Sequence, residues 1–135
     1  MRTPRQVVDY ALRRRASLAD VTAGRTSASD VRDAGVYLLQ AASYHGRPTS
    51  TPCPLCQKDE VVHVSWVFGD RLGSASGSAR STQEIARFAD AVDEFTVHVV
   101  EVCRTCRWNH LVQSYVLGTD DASGGRRRRR RTAST

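Results

Sequence analysis

A mixed α+β fold, with helices ahead of an antiparallel sheet, is what this chain predicts. Two observations lead there. Apolar residues recur at helical spacing up to about residue 45 and alternate with period two from residue 60 onward. Two CxxC pairs, "CPLC" and "CRTC", flank the alternating segments and hold the only four cysteines among 135 residues. That length suits one domain with a modest core.

The first helix is expected from Pro4 to about Gly24. Thr3 can cap it, Pro4 fits the first turn, and Val7, Ala11 and Leu18 share a side. Arg14 and Arg15 fall inside that apolar arc, so their stems are expected to lie along the surface with the guanidinium groups in water; an acidic partner there is the sharper alternative. A second helix is expected over 28–44, started by Ser27 and Asp30 at capping-box spacing and ended by Gly46 and Pro48. Its stripe is Val31, Ala34, Leu38 and Ala41, and Gly35 weakens it. Together residues 1–47 predict a helical hairpin that must pack on something else to bury its stripes.

Residues 48–118 predict the sheet. In "EVVHVSWVF", Val62, Val64, Trp66 and Phe68 share one face, with His63 and Ser65 on the other. "GDRLGSASGSAR" has the composition of a mobile connector. A helix inserted at about 82–93 follows, with a Ser81/Glu84 capping box and Ile85, Phe88, Ala89 and Val92 at i, i+3, i+4 and i+7. "FTVHVVEV" and "WNHLVQSYVL" predict a β-hairpin with "CRTCR" at its tip. Residues 119–135 have nothing large and apolar to bury and are expected to be a disordered tail.

Charge divides along the same boundary. The formal net charge is +6, but Arg126, Arg127, Arg128, Arg129, Arg130 and Arg131 account for all of it; 14 basic and 14 acidic residues remain. No apolar run is long enough to cross a membrane, and the charged N-terminus is no secretory signal. A cytoplasmic setting, which keeps thiols reduced, is therefore expected.

Four reduced thiols in two CxxC pairs suit one structural Zn2+, because each pair can aim two sulfurs at one point. Cys53, Cys56, Cys103 and Cys106 are the expected ligands. Residues 57–102 separate the pairs, 46 in all, and the connector with its capped helix accounts for that length. A redox dithiol prefers a helix N-terminus, whereas both pairs here adjoin strands. An iron–sulfur cluster suits the same four sulfurs. Gln57 and Arg107 follow the second cysteine of each pair, where many zinc knuckles place glycine for its positive φ. A strand leading from one pair and a hairpin bearing the other give a zinc-ribbon-like architecture. The histidines are expected at the surface or around the ligands, since four thiolates saturate the ion.

The chain carries no GxSxG, HExxH, P-loop or GxGxxG-plus-helix pattern, so no enzyme and no small-molecule substrate are expected. With the motifs "RQVVDYALRRR", "YLLQAASYHG", "CPLC", "VSWVFG", "SGSAR" and "FTVHVVEVCRTCRWNHLVQSYVLG", the chain resembles an actinobacterial family of small cytoplasmic proteins classed as a domain of unknown function. The resemblance runs from about Arg5 to Gly118, and it implies a zinc-ribbon-like protein without naming an activity.

The expected function is a non-enzymatic zinc-binding adaptor or regulator in a protein complex, of the kind found in transcription or translation machinery. Arg104, Arg107, Trp108 and His110 are its candidate contact residues, since Trp and Arg dominate hot spots and stack on bases. The arginine run would draw in RNA or DNA phosphates. The alternative is a thiol redox sensor in which oxidation expels zinc.

Overall fold

The computed structural model describes residues 3–120. Strands β1 (Arg5–Asp9), β2 (Arg47–Pro52), β3 (Glu60–Phe68), β4 (Ser78–Arg80), β5 (Phe95–Val102) and β6 (Asn109–Leu117) form one antiparallel sheet. Its order is β1-β6-β5-β3-β2, and β4 pairs with β3. Helices are α1 (Ala11–Thr22), α2 (Ala28–Val31), α3 (Val36–His45) and α4 (Thr82–Ala91). None of these helices is long and apolar enough to cross a membrane.

The N-terminal helical hairpin expected over 1–47 does not form. Residues 5–9 are an edge strand paired with β6, Val8 opposite Ser114, and the Tyr10 N–H donates to the Val112 carbonyl at 3.0 Å. Val7 and Val8 are β-branched and fit either period, so pairing with β6 decides. Asp9 then starts α1, its Oδ1 accepting the Ala11 N–H at 2.7 Å. The predicted second helix breaks in two because Gly35 is the extended cap of α3, with ψ 173°. At the break the Ala34 N–H donates to the Arg107 carbonyl, and Arg107 Nε donates back to the Ala34 carbonyl. Residues 5–9 therefore belong to the sheet, and α1, α2 and α3 follow them.

The connector is also structured. Asp70–Ala75 is a 3-10 turn that packs Leu72 on the core, and β4 brings Ala79 opposite Trp66. By contrast, α4 and the β5–β6 hairpin lie where their patterns put them. The Ser81 hydroxyl accepts the Glu84 N–H at 3.2 Å, and Glu84 accepts the Ser81 N–H at 3.1 Å. The Ser81 N–H, then Arg80, hold the Glu84 carboxyl below its ordinary 4.5. A carboxyl lowered by folding stabilises fully above its ordinary value, and that contribution is lost as pH falls through the folded one. Ser81→Ala is expected to cost about 1 kcal/mol, read as a shift in urea midpoint at unchanged slope.

Both faces of the sheet are apolar, for separate reasons. On one, Val67, Phe95, Val97, Val99 and Leu117 meet Ile85 and Ala89 of α4. On the other, Val62, Val64 and Val102 meet Ala34 and the α3 residues Ala41 and Ala42. A third cluster closes one end around Cys53, Val61, Cys103 and Trp108, with Leu18 of α1 and Val31 of α2 against it.

Candidate metal centre

Two turns of the same design make the centre. The first follows β2: the Cys53 carbonyl accepts the Gln57 N–H at 3.1 Å, and the Cys53 N–H donates to the Asp59 carbonyl at 2.8 Å. The second follows β5: the Cys103 carbonyl accepts the Arg107 N–H at 2.9 Å, and the Cys103 N–H donates to the Trp108 carbonyl at 2.8 Å. Gln57 and Arg107 hold φ of 55° and 75°, so the positive φ that glycine usually supplies is adopted by side-chain-bearing residues at both sites. Thr105 Oγ1 donates to Asp59 Oδ2 at 3.1 Å and ties the two turns together.

Pairing of β3 with β5, Val62 opposite Val102, brings the turns to one end of the sheet. There the four sulfurs lie within 4.8 Å of one another. Cys53 Sγ is 3.6 Å from Cys106 Sγ, and Cys56 Sγ is 3.7 Å from Cys103 Sγ. A disulfide would need about 2 Å, and all four are free thiols. Sulfurs at tetrahedral corners about 2.3 Å from a metal stand roughly 3.8 Å apart, close to the spacing here. Cys53 and Cys103 are buried; Cys56 and Cys106 are partly exposed.

Backbone N–H groups aim at the sulfurs: Leu55 to Cys53, Lys58 to Cys56 and Cys106 to Cys103, each 3.4 Å. Burial pushes the Cys53 thiol up to about 12 and raises that of Cys103. The Lys58 N–H draws Cys56 down to about 7. Burial thus opposes ionisation of Cys53 and Cys103, while the Lys58 N–H favours it at Cys56. Bringing four thiolates together requires a cation, which is the chemistry a soft divalent metal supplies.

Of the other predicted site residues, Trp108 is fully buried, so the contact role expected for it is replaced by a core role. Its Nε1 donates to Glu101 Oε2 at 2.8 Å, and its ring stacks on His110. Arg107 spends its Nε on the Ala34 carbonyl, His110 Nδ1 lies 2.7 Å from the Leu111 carbonyl, and Arg104 is exposed. Arg126–Arg131 lie outside the described residues. His63 is half-buried on β3; burial, then Arg47, lower its pKa against an opposing pull from Glu101. The sequence reading missed Glu101, which is buried and also accepts from Arg14 Nε at 2.8 Å and Nη2 at 3.1 Å. Arg14 therefore does find an acidic partner, within its own chain. The signal was available: residues 97, 99 and 101 share a face, and a carboxylate on an inward face needs a donor.

Fold and site define the class: a mixed helix-and-antiparallel-sheet protein whose four clustered cysteines can bind a metal. The chain belongs to a family of unknown function, DUF5318, which it matches over residues 1–132. It is 59% identical over 111 residues to uncharacterized protein Rv0049 of Mycobacterium tuberculosis (strain H37Rv), covering 82% of this chain and 81% of that protein. Uncharacterized protein Mb0050 of Mycobacterium bovis matches with the same identity and coverage. No solved structure matches the chain.

Proposed function

We propose that Cys53, Cys56, Cys103 and Cys106 hold one structural Zn2+ in a zinc-ribbon-like end of the sheet, and that the protein is a non-enzymatic adaptor built on that rigid end. The observation that carries this reading is the four-sulfur cluster, its S–S separations close to those of a tetrahedral thiolate site. Four protein ligands leave a tetrahedral ion no open position for substrate or activated water, which favours a structural role over a catalytic one. Zinc is preferred to iron as the redox-silent ion that structural four-cysteine sites take. A protein partner is preferred to a nucleic acid: of the four contact candidates around the second turn, Trp108 is buried and Arg107 is tied to Ala34. Arg104 and Arg107 both remain exposed beside that turn as the groups a partner would meet.

A redox sensor is the competing reading, favoured by the partly exposed Cys56 with its lowered pKa. Metal analysis with thiol counting under native conditions separates the two. One zinc per chain with four slowly reacting thiols is the adaptor's result. Disulfides that form reversibly with loss of zinc at cellular potentials would replace it with the sensor.

A further inference from the structure

A cleft of about 340 Å3 lies between α3 and the β3–β4 edge of the sheet. Tyr37 and Tyr44 of α3 and Trp66 of β3 line it, with the small side chains of Ala41 and Ala79 among the rings. The two tyrosines are 72% and 82% exposed, and the Tyr37 ring stacks on Trp66 at 6.1 Å. Seven residues apart on one helix, they share a side and stand about 10 Å apart along its axis. A polyproline II chain repeats every three residues, about 9 Å. Prolines three positions apart therefore present their rings at close to the tyrosine spacing.

The polar groups of the cleft favour the same ligand. Trp66 Nε1, both tyrosine hydroxyls and the Gln40 amide have no hydrogen-bond partner among the described residues, and no carboxylate lines the cleft. A proline has a carbonyl but no N–H, so a proline-rich segment is a row of acceptors that needs donors. A phosphate backbone fits less well. The one guanidinium, Arg80, is held by Glu84 at 3.0 Å and Ser78 at 2.9 Å, and the cleft runs to Tyr44 and His45 at the C-terminal, negative end of the α3 dipole. A second copy does not supply the ligand either. Pro4, Pro48, Pro52 and Pro54 include no two that are three positions apart, and Pro48 and Pro52 lie in β2, paired with β3. We infer that this cleft binds a proline-rich segment of another protein in the polyproline II conformation, its rings against Tyr37, Trp66 and Tyr44 and its carbonyls on their donors. The inference does not rest on the metal, since the cleft and the cysteine cluster share no residue.

The test is an NMR titration of the full chain with a synthetic peptide of about ten prolines, reading the indole N–H signals of Trp66 and Trp108. The Trp66 signal is expected to shift saturably, while that of Trp108, buried and bonded to Glu101, stays in place. Tyr44→Ala is expected to weaken binding by roughly tenfold. Tyr44 is exposed, so its substitution leaves folding intact, and unchanged signals elsewhere confirm that. Trp66→Phe, which keeps a ring and removes the donor, is expected to weaken binding by about fivefold in calorimetry. No saturable shift, an equal response to a glycine–serine peptide of the same length, a response to oligouridylate alone, or an affinity indifferent to Tyr44→Ala would each overturn the inference.

Discussion

Cys103→Ser is expected to unfold the cysteine end of the molecule and to cost most of its net stability. Cys103 is fully buried, and its backbone holds the second turn through Arg107 and Trp108. Structural zinc contributes about 10–16 kcal/mol in finger peptides, against roughly 5–15 kcal/mol for the net stability of a whole domain. The rest of the core cannot offset such a loss. The third cluster has few large apolar members besides Trp108, and the α1 residue Leu18 and the α2 residue Val31 pack on it. Chelation should act in the same way, and hydrogen exchange should rise first at Val61, Trp108 and α1. An unchanged melting temperature in a variant that retains its metal would contradict this account.

Glu101→Leu is the second large effect, expected to cost about 3 kcal/mol and to release α1. Glu101 receives the Trp108 N–H and both Arg14 donors. Removing it strands a buried indole N–H and a guanidinium whose side chain is only 25% exposed. Breaking a buried pair from one side costs about 3–5 kcal/mol; the partial exposure of Arg14 places this case at the low end. Replacing both partners, Glu101→Leu with Arg14→Met, should recover part of the loss because no charge is then left unpaired. Urea titrations of the two singles and the double measure that coupling. Additive effects would mean that the ion pair does not dock the helix.

What the sequence made legible was local. The capped helix α4 could be read because Ser81, Glu84 and the Ile85–Val92 stripe agree at every level. The β5–β6 hairpin could be read because its runs alternate and the CxxC turn sits between them. What escaped was decided by distant partners. Val7 and Val8 become a strand only because β6 offers an edge. Gly35 interrupts a helix because Ala34 bonds to Arg107, 73 residues away. The connector orders because β3 has room for β4. Within the site, the four thiols could be read from their spacing, whereas the burial of Trp108 and the Arg14–Glu101 pair depend on the sheet that brings them together.

X-ray absorption at the metal edge of the purified full chain tests the central claim most directly. One zinc per chain with four sulfur neighbours at about 2.3 Å is the predicted result. A nitrogen or oxygen in the innermost shell, or a metal-free protein that keeps its fold, would contradict it.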